Sequence, residues 1–208
     1  MFDSRSIMSA LSTTLIIAFV SALVAAVIGT AAAIAIQSMR LVPRTIIMGI
    51  TNIPMLNADI VTGISLMLSF IAFGVSLGFK TVLIAHITFN IPYVILSVMP
   101  KLKQTDKSTY EAALDLGATP LQAFFKVVFP DILPGVLSGF LLSFTMSLDD
   151  FIITHFTKGA GINTLSTLIY SEVRRGIKPS MYALSTVIFL TVLILLLIVN
   201  FRSFKKKN

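Results

Sequence analysis

Three carboxylates lie within or against long apolar runs: Asp59, Asp149 and Asp150. A charge at the centre of a bilayer costs at least ~2.5 kcal/mol even on lenient scales, so an acid kept there is a candidate functional group. A passing polycation offsets that cost, and so does pairing with a helix neighbour. For each acid taken singly the two readings stand level. Asp149 and Asp150 are adjacent and point about 100° apart on a helix, so they do not both line one pore. One is expected to meet a substrate, while the other caps a helix break or pairs with a neighbour. Asn57, Thr62, Ser65, His86, Asn90 and Ser147 add polar groups to the same runs, although such residues more often join helices than touch ligands. Glu172 beside Arg174 and Arg175 suggests a local ion pair or a protein contact rather than a substrate site.

Other chemistry is sparse. With no cysteine in the chain, disulfides, thiolate metal sites and cysteine nucleophiles drop out. His86 and His155 have no second ligand at a metal-binding spacing and read as satisfied polar residues among helices; no metal site is expected. Neither H-E-x-x-H nor G-x-S-x-G occurs, and nothing positions Asp59 against Asp149 or Asp150 as a paired-aspartate protease requires. The sequence also lacks G-x-x-x-x-G-K-[ST], which excludes a conventional P-loop ATPase in this chain.

The elements that must hold these residues are dictated by lipid. Of 208 residues, 56% are hydrophobic and 12% charged, and the mean hydropathy is +0.94. A soluble domain of this size cannot bury that much apolar surface. Uncharged stretches cover residues 7–39, 60–79, 81–100, 132–148 and 181–201, each near or above the roughly 18–20 residues that cross a hydrocarbon core. The net charge of +7 comes from basic residues at the ends of these runs, the pattern of membrane topology rather than of nucleic-acid binding.

The first run is too long for a signal-peptide core and carries Ala25, Ala26, Gly29, Ala32 and Ala33 on related faces, which favours close helix packing. After Pro43 and Arg44 a second span is expected to break in its middle, at Asn52, Pro54, Asn57 and Asp59. A turn near residues 74–80 leads to a third span ending near Pro100. Residues 101–131 interleave charges with short apolar groups and form an aqueous loop, with one helix over 109–116 stopped by Gly117 and a second from Pro120 through Val128. A fourth span covers 132–157, an external segment 158–180, and a fifth span ends at Arg202. With the loop cytoplasmic, ten basic residues lie inside and six outside. The amino terminus then lies outside with no signal to export it, so an upstream helix is expected to be missing from this sequence.

Within the loop, Glu111-Ala112-Ala113, three residues, Gly117, nine residues and Val127-Val128-Phe129-Pro130 follow one another. This pattern resembles the EAA signature of binding-protein-dependent ABC importer permeases, with Val127 and Phe129 replacing the usual Ile and Leu. An Ala-rich helix enters a partner's groove with little loss of side-chain entropy, and Glu111 offers a charge for specific pairing. Gly117 permits a sharp turn and Pro120 pre-sets the next helix. Phe124, Phe125 and Phe129 read better as packing against membrane helices than as partner contacts. Residues 54–65, 147–154 and 164–185 look like the spermidine/putrescine branch of these permeases, its C-type subunit.

The resemblance implies an all-α polytopic MetI-like permease, a single transmembrane domain over 1–208, in the plasma membrane of a prokaryote. It implies a second homologous permease subunit, a cytoplasmic ABC ATPase dimer that binds ATP and Mg, and an extracytoplasmic substrate-binding protein. The chain itself needs no cofactor and is not an enzyme. Docking falls to Glu111, Ala112, Ala113, Gly117 and Pro120, and the substrate path to Asp59, Asp149 and Asp150. A permease for another small solute is the alternative, with a secondary transporter or channel behind it. Neither of the last two needs an EAA loop.

Overall fold

The computed structural model describes residues 5–175 together with 186, 187, 189, 190 and 193. Every regular element among the described residues is helical. Helix α1 (Arg5–Ser38), α4 (Phe79–Gln104) and α7 (Phe129–Asp149) form the packed centre. Small residues let them approach: a Cβ on Gly29 would lie 2.7 Å from Val94 Cβ, and one on Gly139 would lie 3.1 Å from Val94 Cα. Ala25, Ala26 and Ala33 are buried on the same face of α1 as Gly29, as the sequence indicates. Around this contact Ile36, Val94, Val98, Met99 and Ile132 complete an apolar core. The opposite face of α1, with Leu15, Phe19, Leu23 and Val27, stays exposed in the way lipid-facing residues do.

Three described helical segments are long and apolar enough to cross a membrane: residues 6–38, 79–104 and 120–149. A fourth is added if α2 (Leu41–Leu56) and α3 (Asp59–Ala72), bent 103° at their junction, make one span. The expected break is narrower than the sequence suggests, because α2 runs through Asn52 and Pro54 and only Asn57 and Ala58 are extended. Asp59 then opens α3, where a negative charge complements the helix N-terminus. The expected fifth span, residues 181–201, falls largely outside the described residues.

Other boundaries also differ. After a turn at Gly74 (φ +68°), α4 passes through Pro92 and Pro100 as far as Gln104, so Lys101 and Lys103 sit in its last turn and complement its C-terminal end. Helix α5 (Lys107–Asp115) starts two residues early because the Asp106 carboxylate accepts the Ser108 N–H at 2.9 Å. Gly117, at φ +85°, then turns the chain. Thr119 and Gln122 form a reciprocal capping box around Pro120 that starts α6 (Pro120–Ala123). Instead of stopping at Val128, the helix continues through a π turn at Phe124–Val128 into α7. Pro130 has no N–H to continue the ordinary ladder, and the widened turn falls next to it. At its far end α7 stops at Asp149, and a separate short helix covers Ile152–Thr157.

Candidate functional site

Helix α7 stops at Asp149, and after Asp150 and Phe151 the chain re-enters a short helix, α8 (Ile152–Thr157). Asp150 makes this break. Its carboxylate accepts the Ile153 N–H at 3.2 Å, the Thr154 N–H at 2.8 Å and the Thr154 hydroxyl at 2.8 Å. These donors open α8 and have no acceptor inside the helix. The same carboxylate lies 3.4 Å from His86 Nε2 on α4.

A chain of buried polar groups extends from Asp150 across the core. His86 Nε2 lies 2.9 Å from Thr154 Oγ1, and His86 Nδ1 lies 2.5 Å from Ser147 Oγ. Ser147 meets Ser21 of α1 at 3.2 Å, and Asn90 donates to Ser21 at 3.4 Å. Thr154 Oγ1 donates to Asp150, so it accepts from His86 Nε2–H, and Asn90 donates to Ser21. These links fix α1, α4, α7 and α8 against one another.

The three acids selected in the sequence are not equivalent. Asp150, with its side chain 7% exposed, is committed to the break and to His86. Asp149 stands exposed one residue earlier, and Asp59 is exposed in the first turn of α3. Helix α3 packs on α8, where a Cβ on Gly63 would lie 3.1 Å from the Phe156 ring. Ser21 and Thr154 join this chain without standing out in the sequence. Ser21 lies one turn before Ala25 on the small-residue face, and a hydroxyl on a buried stripe was the available signal.

In the loop, Glu111, Ala112, Gly117 and Pro120 are exposed, and Ala113 is half-buried. Glu111 borders a groove of about 480 Å³ shared with Gln37, Thr105, Asp106 and Tyr110. The Ser108 N–H holds the Asp106 carboxyl below its ordinary range. Phe124, Phe125 and Phe129 cluster with ring centroids 5.2–6.3 Å apart and line a second groove, of about 580 Å³, with Leu23, Val27 and Ile34 of α1. They are thus turned toward a membrane helix. The segment after α8 contains α9 (Leu165–Arg175), whose Leu165 N–H donates to Thr14 of α1 at 2.8 Å. The side chains of Glu172 and Arg175 lie outside the described residues.

Residues 25–206 match the family described as "Binding-protein-dependent transport system inner membrane component". The chain is 39% identical over 190 residues to the putrescine transport system permease protein PotI of Escherichia coli (strain K12), covering 88% of this chain and 68% of that protein. It is 37% identical over 208 residues to the spermidine/putrescine transport system permease protein PotC of Haemophilus influenzae, covering 100% of this chain and 80% of that protein. Among solved structures, a crystal structure of an amino acid ABC transporter with histidines matches its fold with a TM-score of 0.64 at 19% identity, over 90% of this chain and 88% of that one. The spacing in the loop, the all-helical fold and these matches agree: the chain belongs to the binding-protein-dependent transport system inner membrane components, as a multi-pass permease subunit of an ABC importer.

Proposed function

We propose that this permease carries polyamines, putrescine and spermidine among them, delivered by an extracytoplasmic binding protein and driven by a cytoplasmic ATPase dimer that binds ATP and Mg. A second homologous permease subunit completes the path. The loop over 101–131 is the docking element, with Glu111, Ala112, Ala113, Gly117 and Pro120 at its surface. Two relatives named for these amines support the reading over most of the chain. The structural observation that carries it is the division of labour at the helix break. Asp150 is consumed by capping and by His86, whereas Asp149 next to it is exposed and free to attract a cation. Asp59 supplies a second exposed negative charge, and a low-dielectric path amplifies the attraction of both for a multiply charged amine.

The test is reconstitution of the complex with its ATPase, second permease and binding protein in liposomes. ATP-dependent uptake of putrescine and spermidine is expected, with Asp59→Asn and Asp149→Asn lowering it more for spermidine, the more highly charged amine. A wild-type complex that hydrolyses ATP but takes up neither amine would overturn the assignment.

A further inference from the structure

Phe151, His155 and Tyr170 form a ring cluster just after the helix break. We infer that this cluster, which follows the exposed Asp149 by two residues, is a binding station for an ammonium group of the transported amine. The inference rests on the polyamine reading and adds a site to it.

The ring centroids of Phe151 and Tyr170 are 4.4 Å apart, those of Phe151 and His155 5.2 Å, and those of His155 and Tyr170 6.4 Å. Rings this close usually belong to a core, as Phe89 does at 8% exposure, yet Tyr170 is 45% exposed and His155 is exposed as well. The cluster is also held in place. The Ser166 hydroxyl donates to the Asp150 carbonyl at 2.7 Å, which ties α9 to the break, and Tyr170 follows one turn later on the same face of α9. Asp149 precedes Phe151 by two residues and presents its carboxylate at the end of α7.

The chemistry selects a cation. Ring faces carry partial negative charge and attract an ammonium within about 6 Å of the centroid, while a carboxylate adds a full charge of the same sign. The methylene segments of an aliphatic amine pack on ring surfaces as the stem of lysine does. An anionic solute is repelled by this combination, and a neutral one gains only the packing.

The test uses the complete complex in liposomes, with substitutions at position 170 and uptake measured per assembled complex. Tyr170→Phe keeps the ring face and is expected to stay within about twofold of wild type. Tyr170→Leu is expected to lower spermidine uptake by about five- to tenfold. Pentafluorophenylalanine at the same position keeps the shape but reverses the charge of the ring face, and is expected to lower uptake equally. Uptake with the fluorinated ring equal to that of Tyr170→Phe would show that the cluster only packs, and would overturn the station. A weaker Kd between the binding protein and the Tyr170→Leu complex would overturn it too, by making the rings a protein contact. If wild type transports neither amine, both the station and the polyamine assignment fall; if it transports both and the fluorinated variant matches it, the station alone falls.

Discussion

Replacing Asp150 by alanine removes an acceptor from three donors at once. The Ile153 and Thr154 N–H groups and the Thr154 hydroxyl all lose their partner, and His86 loses the acid that terminates its chain of hydrogen bonds. A hydrogen bond to a charged group contributes about 1.5–3 kcal/mol, and three at one site do not add in full. Leaving a buried donor unsatisfied costs about 1–3 kcal/mol, so three at one site, adding only in part, give an expected loss of about 3–5 kcal/mol for Asp150→Ala. Asp150→Asn keeps one acceptor oxygen and should lose about half as much. Asp149→Asn changes an exposed residue and should stay within about 0.5 kcal/mol of wild type. The assay is thermal loss of the gel-filtration peak of the detergent-solubilised complex, with protease cleavage across residues 150–165 and amine uptake per assembled complex measured alongside. Asp150→Ala should melt early and be cleaved, and Asp149→Asn should melt normally but transport poorly. The reasoning is refuted if Asp150→Ala melts like wild type and loses uptake, because the carboxylate is then a substrate contact rather than a cap.

Four further outcomes are expected. Glu111→Lys, on an exposed helix, should insert normally and bind the ATPase more weakly, as read by pull-down from solubilised membranes. Gly117→Val should cost about 1–2 kcal/mol of local strain at φ +85° and reduce stimulation of ATP hydrolysis by loaded binding protein. Gly159→Ala would put a Cβ 2.0 Å from the Leu77 carbonyl oxygen and should lower the melting temperature, whereas Gly49→Ala, with nothing within 4 Å, should not. Asp106 is held below its ordinary value of 3.8, so its capping contribution is full above that value and is lost as pH falls through the lower folded one. Pepsin should therefore cleave residues 105–110 more readily in that acid range in wild type than in Asp106→Asn, which still accepts the Ser108 N–H but does not titrate.

The apolar runs at 7–39, 81–100 and 132–148, each falling in a helix long enough to span, were legible because lipid is the usual partner of about 18 uncharged residues in a row. The small-residue face of α1 was legible for a related reason, since Gly29 and Ala25 serve only a close approach. What the sequence did not disclose depended on partners far along the chain. Asp150 and Asp149 are the same residue type side by side, and only His86, 64 residues earlier on α4, and the turn into α8 tell them apart. Boundaries drawn from charge were also misleading. Lys126 and Asp131 read as the wet end of a loop, yet a helix passes both, because their side chains point outward while Ile132 and Gly135 keep the backbone in the core. Pro100 read as a stop for a similar reason and lies inside α4.

The unbroken helix from Pro120 to Asp149 has a mechanical meaning. Its 30 residues make a rod roughly 45 Å long. One end is the capped turn of the proposed docking loop, and the other carries the exposed carboxylate. A rod pivoting at its docking end through about 10° would carry Asp149 sideways by roughly 8 Å on this rise per residue, more than a water molecule's width. At the proposed docking loop, a small rotation imposed by the ATPase would thus become a displacement large enough to pass or release a cation, with no bond along the rod having to break. The rod departs from regular winding at the π turn over Phe124–Val128, and Pro130 and Pro134 each omit one backbone hydrogen bond beyond it. The stiffness of residues 124–134 therefore sets how much of the stroke arrives.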